Sequence, residues 1–569
     1  MILYSFVLIF LALFLYWGDK FHRTPNWDES SYLLEGSNIR IHFNESLAKG
    51  LHYIWFGDPL GRPPLYAVIL SMFVHPTISW YRSVHIVNSF FFISIAVSVI
   101  SLSSKRLKSI NRLLLLGITM TAPFIFQYSN YVLVDIPMAS AVLISLACLD
   151  KYFNTSKRHF YWVSVLFGGV AFLLKPTAYY FLAFGVTALY LVEYSKSQKQ
   201  LQFLQSRKST TLRNVILWFS FSISFISIWA IPNLGRLYHY LTIQFSFPKD
   251  EYVSADPHAG SVLGTIIYFS QLIKLYSVSI LTILIISTFF ALLYVKRLHL
   301  VNIQINYLPS LASALAISAI PFSLSPLWEY RYTVISAIGL SILILIFYEK
   351  CFPHKYIIFF STFVLLISLS FNSLTLFGNM DPQKWSRNLQ ILFYGNPNKT
   401  KVTNFFMNRI SFGKEPRLSE DRVFDFFSKN KDVFTSNKEI VIGIPFSHPE
   451  LNQNAIAWET QILHMNNVSA QYITGGTVVK RKIKQNTDNS ILLQLSKVNY
   501  IALPETQFAK SNYRDPVDWQ NHNLFDVWRV KNLLQKRYHL KLVTSGFFSV
   551  ALASAHEETI KIDFYKLLT

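Results

Sequence analysis

Apolar residues along this chain gather in runs of about 17–25 residues, the length that crosses a bilayer as a helix. Such runs fall at residues 1–17, 84–104, 112–129, 136–153, 160–175, 176–194, 214–234, 277–295, 305–323, 332–349 and 355–377. The pattern predicts about eleven transmembrane helices. Two further stretches, 63–80 and 261–276, are apolar but interrupted by Pro, His, Lys or Gln. They predict interfacial or half-embedded helices. The first run begins at Met1 without a basic leader and has no small-residue cleavage signal before Gly18-Asp19-Lys20. It reads as an uncleaved anchor. Beyond Phe377 the pattern changes. Short apolar runs at 439–445 (EIVIGIP), 498–504 and 539–553 predict strands, and 399–411 predicts a helix. The expected architecture is a polytopic α-helical membrane domain over 1–377 and a soluble α/β or α+β domain over 378–569.

Composition agrees with this division. Of 569 residues only 15% are charged and 52% are hydrophobic, against about 25% charged in soluble proteins. Mean hydropathy is +0.32. There is too little polar surface for three or four soluble domains, and too much apolar residue for disorder. Two cysteines, Cys148 and Cys351, exclude a disulfide scaffold.

The net charge of +21 first suggests nucleic acid, but its placement says otherwise. With a cytoplasmic N-terminus, the inside loops 104–112, 150–159, 195–213, 296–304 and 349–355 hold 16 basic and 2 acidic residues, a surplus of 14. The outside loops hold most of the acids of the membrane half. This is the positive-inside pattern, although Lys20 and Arg23 run against it. An odd number of spans then places the C-terminal domain outside the cytoplasm. No Walker loop, GxGxxG turn or zinc-spaced Cys/His set occurs, which argues against an ATP-driven pump or a soluble redox enzyme.

Candidate chemistry lies on the outer face. The first outside loop, 18–62, carries Trp27-Asp28-Glu29-Ser30-Ser31-Tyr32, then a helix through Ile41, then Gly61-Arg62-Pro63-Pro64-Leu65-Tyr66. Adjacent acids beside a membrane span have a partner or a function, or else sit at a solvated helix N-terminus. Asp135 interrupts an apolar turn and could cap a helix starting at Pro137. Three cations share this face: Arg62, Lys175 before Pro176, and Arg331 in Trp328-Glu329-Tyr330-Arg331-Tyr332. Singly, each reads as a side chain snorkelling to the interface. Together they suit transfer of a group from a phosphate-bearing lipid. Cations would take up charge on the departing phosphate, and a carboxylate would deprotonate the acceptor.

At these residues the chain resembles the C-type (GT-C) membrane glycosyltransferase superfamily. Within it, the likeness is to the lipid A aminoarabinose transferases and the bacterial homologues of protein O-mannosyltransferases. The resemblance rests on Asp28-Glu29-Ser30-Ser31-Tyr32, on Arg62-Pro63-Pro64-Leu65-Tyr66, on Asp135, on Lys175 and on Arg331-Tyr332. It covers about residues 1–350, and Pro176 departs from the glycine that often follows the family's lysine.

The resemblance implies a sugar donor linked to polyprenyl phosphate, its phosphate near Arg62, Lys175 and Arg331. Asp28 would be the base, with inversion at the anomeric carbon. Glu29 and Asp135 would orient the acceptor or sugar, or join Asp28 in holding a divalent cation. Tyr32, Tyr66, Glu329 and Tyr332 would orient acceptor and sugar. It also implies a bacterial inner membrane, a lipid, protein or polysaccharide acceptor in the cell envelope, and no nucleic-acid partner. Two alternatives stand beside it. One is a ligase or polymerase using a lipid diphosphate donor. The other is a transporter or flippase for lipid-linked glycans, which would want charges near mid-span.

Overall fold

The structure, a computed structural model, describes residues 27–57, 62–77, 80–103, 109–121, 132–199, 205–238, 261–266, 307–324, 333–351, 422–434, 439–445, 453–465, 467–473, 487–504, 530–551 and 557–568, with scattered single positions elsewhere.

The outer loop folds into helices. Helix α1 spans Trp27–Glu45, α2 Leu47–Phe56 and α3 Leu65–Phe73. Ser46 opens α2 in an extended conformation, its hydroxyl accepting from the Lys49 N–H at 3.1 Å. Pro63 and Pro64 precede α3, where missing amide hydrogens cost nothing. Helices α1 and α3 lie side by side in the same direction, because Tyr32 meets Tyr66, Gly36 meets Ala67 and Leu70, and Arg40 meets Ser71 and Val74. Gly36 permits this close approach. A Cβ there would stand 3.1 Å from Leu70 Cβ and 3.2 Å from the Ala67 carbonyl oxygen. Arg40 donates to the Ser71 carbonyl at 2.9 Å and to the Val74 carbonyl at 2.5 Å, occupying carbonyls that the end of α3 leaves open.

The bundle follows: α4 Trp80–Ser103, α5 Ser109–Thr121, α6 Asp135–Thr155, α7 Arg158–Leu174, α8 Ala178–Lys199, α9 Gln205–Ala230, α10 Tyr307–Ile317, α11 Ile320–Leu324 and α12 Val334–Cys351. Among the described residues three segments are long and apolar enough to cross a membrane: Trp80–Ser103, Asp135–Thr155 and Leu212–Ala230. The expected spans at 84–104, 136–153, 160–175, 176–194, 214–234 and 332–349 coincide with α4, α6, α7, α8, α9 and α12. The expected span at 305–323 is instead broken into α10 and α11, and Pro321 falls in the first turn of the second piece, where it fits. Of 112–129, helix α5 covers 112–121, and most of the remainder lies outside the described residues. The spans expected at 277–295 and 355–377 lie outside the described residues, as does most of 1–17. Of the two interfacial stretches, 63–80 contains α3, and 261–276 is described only in part.

Large apolar side chains point outward from α4 (Ile86, Phe90, Val97) and α9 (Ile216, Ile223, Ile228), as on helices facing lipid. Inside, small polar groups join helices. Ser145 Oγ donates to the Ser164 carbonyl at 2.8 Å, and Trp218 Nε1 donates to Ser164 Oγ at 2.9 Å.

The C-terminal part is α/β. It contains α13 Arg422–Lys429, α14 Lys431–Phe434, β1 Ile440–Ile444, α15 Gln453–Ile462, β2 Val468–Tyr472, α16 Thr487–Leu495, β3 Tyr500–Pro504, β4 His539–Ala551 and β5 Glu557–Leu568. The strands form one five-stranded sheet in the order β2-β1-β3-β5-β4. β1 pairs parallel with β2 and β3, and β5 pairs antiparallel with β3 and β4. One face buries Ile440, Ile442, Ile444 and Phe564 with Phe426, Phe427 and Phe434. The other buries Ile501 and Leu503 with Ile491, Leu495, Val530 and Leu534. Burial on both faces explains why β1 and β3 read as continuous apolar runs. The three strands expected from such runs are present, and the helix expected at 399–411 lies outside the described residues.

Helix α15 belongs to two cores. Ile456 packs with the sheet, while Trp458 and Ile462 pack with the membrane helices. The Trp458 ring meets Trp80, at the start of α4, edge-on at 6.0 Å.

Candidate active site

Glu29 lies in the first turn of α1 and is completely buried. A carboxylate in that place needs donors. Its Oε1 accepts the Val132 N–H at 2.8 Å, which joins α1 to the stretch leading into α6. Asp135 follows in that stretch. The helix begins at Asp135 itself, behind Val134, and not at Pro137, so the carboxylate is a first-turn acid and not the cap. First-turn acids are favoured by the helix dipole.

The partner of Asp135 is Lys175. Proline disfavours helix at the residue before it, and Lys175, preceding Pro176, takes φ −155° and ψ 128° and ends α7. Its Nζ stands 2.7 Å from Asp135 Oδ1, with side-chain exposures of 6% and 1%. Burial this deep is costly for either charge, and the pairing offsets part of that cost.

Tyr66, in the first turn of α3, is completely buried. Its hydroxyl donates to Asn88 Oδ1 of α4 at 3.3 Å, and Asn88 Nδ2 donates to the Ser129 carbonyl at 2.9 Å. The Tyr66 ring meets the edge of Tyr32 at 5.3 Å, and the Arg62 guanidinium lies 4.9 Å from the Tyr32 ring centre. Glu29, Tyr32 and Asp135 are all within electrostatic reach of the Tyr66 hydroxyl.

The fold therefore brings Glu29, Tyr32, Arg62, Tyr66, Asp135 and Lys175 to one place from α1, α3, α6 and the end of α7. Asp28 lies on α1 beside Glu29, and its side chain is outside the described residues, as are Glu329, Arg331 and Tyr332. Lys175 differs from a simple phosphate-binding cation, because its ammonium is already engaged by Asp135. Asn88 is the residue that sequence reasoning passed over. The available signal was an amide inside the apolar run 84–104, where polar groups are expensive.

Glu29 Oε1 takes a backbone amide, Asp135 Oδ1 takes an ammonium, and no group of three His, Cys, Asp or Glu side chains converges among the described residues. Among the described residues the site holds both signs of charge, Glu29 and Asp135 with Arg62 and Lys175. Such a site suits chemistry in which charge moves between groups already held in place.

No protein-family model matches the chain, and no curated protein matches it in sequence. Solved structures match its fold. ArnT from Cupriavidus metallidurans bound to undecaprenyl phosphate aligns with TM-score 0.52 and 11% identity, covering 98% of this chain and 97% of that one. The same protein in the apo state aligns with TM-score 0.53 and 11% identity, covering 99% of this chain and 98% of that one. At so low an identity the likeness is one of fold, and it extends over nearly the full length of both chains.

Proposed function

We propose that this protein is a membrane glycosyltransferase that moves a sugar from a polyprenyl-phosphate carrier to an acceptor on the extracytoplasmic side. One observation carries the reading: buried acids, a buried lysine and an arginine–tyrosine pair converge in a fold shared with ArnT, one of whose structures holds undecaprenyl phosphate. In this reading about eleven helices span a bacterial inner membrane. The N-terminus is cytoplasmic, and the domain after residue 377 lies outside, over the site.

The reaction breaks the bond between the anomeric carbon and the phosphate oxygen and forms one to the acceptor oxygen or nitrogen, with inversion. The electron pair leaves with polyprenyl phosphate. The acceptor proton passes to a carboxylate, for which Asp28 is the choice, since Glu29 is tied to the Val132 amide and Asp135 to Lys175. Arg62 and Arg331 take up charge on the departing phosphate. Lys175 contributes through its pair with Asp135: an arriving phosphate can draw the ammonium toward itself, leaving Asp135 to the sugar hydroxyls. Glu29 fixes the backbone on which Asp135 stands. Tyr32, Tyr66, Glu329 and Tyr332 line the path of sugar and acceptor.

The test is to supply purified protein with a polyprenyl-phosphate sugar and measure release of polyprenyl phosphate, wild type against Asp28→Asn. Release by wild type with a loss of about 100-fold or more in the variant is expected for removal of a general base. Equal release from both would remove Asp28 from that role. Turnover only with a lipid diphosphate donor would make the protein a ligase or polymerase.

A further inference from the structure

One buried amide touches two parts of the site at once. Asn88 lies in α4 with 1% of its surface exposed, inside a helix long and apolar enough to cross a membrane. An amide there is costly unless its donor and acceptor are both used. Its oxygen accepts from Tyr66 of α3 at 3.3 Å, and its nitrogen donates to the Ser129 carbonyl at 2.9 Å. The approach to Asp135 is thereby held at two backbone points from different elements. Asn88 takes the Ser129 carbonyl from α4, and Glu29 takes the Val132 amide from α1.

We propose that Asn88 is a positioning residue of this site, holding the Tyr66 hydroxyl and the backbone leading to Asp135 in a fixed relation. The assignment rests on the glycosyltransferase reading only for its kinetic consequences; the geometry stands without it. Asn88 acts through other groups and takes no part in proton or phosphate transfer. Its two functions are separable. Aspartate has the same shape and keeps an acceptor for Tyr66 but has no donor for Ser129. Leucine has neither.

The experiment compares wild type, Asn88→Leu, Asn88→Asp, Tyr66→Phe and Tyr66→Phe with Asn88→Leu. Three quantities are read: polyprenyl-phosphate release, thermal unfolding, and hydrogen exchange of the backbone amides of residues 132–136 and 138. Asn88→Leu is expected to lower kcat by about 10- to 100-fold with donor KM within about 3-fold, the signature of lost alignment as against lost binding. Its combination with Tyr66→Phe should cost less than the product of the single effects, because one contact is shared. Exchange at Val132 and beyond should rise in both Asn88 variants and remain at the wild-type level in Tyr66→Phe. Unchanged kcat, strictly multiplicative effects, or exchange at the wild-type level in Asn88→Leu would each overturn the proposal. If the leucine variant does not fold, Asn88→Asp carries the same exchange readout. If wild type releases no polyprenyl phosphate, the glycosyltransferase reading fails, and the exchange experiment still decides the role of Asn88.

Discussion

Three Lys–acid pairs among the described residues can be compared at three depths. Lys175 and Asp135 meet at 2.7 Å with exposures of 6% and 1%, in the helical bundle. Lys561 and Asp563 meet at 3.5 Å with 31% and 15%, on the C-terminal sheet. Lys49 and Glu45 meet at 3.0 Å with 64% and 44%, between α2 and the end of α1. Distance alone ranks the sheet pair last, but dependence on the partner follows burial. Water replaces a lost partner at Glu45. At Asp563, Ser545 at 2.6 Å and Tyr565 at 3.3 Å already donate to the carboxylate. At Asp135 burial leaves water little access, so removing Lys175 takes an opposite charge from a carboxylate that water cannot easily reach.

Lys175→Ala should be the most damaging change, lowering stability by about 3–5 kcal/mol and abolishing turnover, as read by thermal unfolding and product release. Replacing both members, with Lys175→Met and Asp135→Leu, should recover most of the stability and none of the turnover. Recovery of both would reduce the pair to a packing element.

Gly36→Val should come next. The added carbons meet the backbone of α3, so the two helices must separate, at about 1–3 kcal/mol and with loss of activity through displacement of Tyr66. Normal activity in that variant would mean that the α1–α3 approach does not set the site. Lys561→Ala should cost about 1 kcal/mol or less, without effect on turnover.

Lys49→Ala should have the smallest effect on the unfolding temperature, and that small effect should be seen at pH 7 and vanish in acid. The Lys49 ammonium, through a hydrogen bond and its charge, holds the Glu45 carboxyl below its ordinary value. Any stabilisation from it is present above the usual carboxylate range and fades as pH falls through the lowered value. A loss at pH 7 larger than that of Lys561→Ala, or one that persists below the lowered Glu45 value, would contradict this ranking by burial.

The same contrast explains what could be read from the chain. Apolar runs located α4, α6, α7, α8, α9, α12, β1, β3 and β4, because burial on one or both faces writes itself into composition. β2, with Ser469 and Gln471 at the edge of the sheet, and β5, in which Lys561, Asp563 and Lys566 interrupt the apolar residues, carry no such run and escaped notice. At the site, the charged residues were legible because charge is conspicuous beside lipid. Their pairing was not. Lys175 and Asp135 are 40 positions apart, and Glu29 and Val132 are 103 apart. Asn88 was missed because a single amide does not interrupt a hydropathy average.

Helix α15 has a practical consequence. Its Trp458 and Ile462 are buried against the membrane helices, while Ile456 is buried in the sheet. A fragment beginning near residue 378 would carry these two side chains into solvent as an adhesive patch. Secreted expression of that fragment alone should give oligomers or inclusion bodies, and polar replacements at 458 and 462 would be the means of making it soluble.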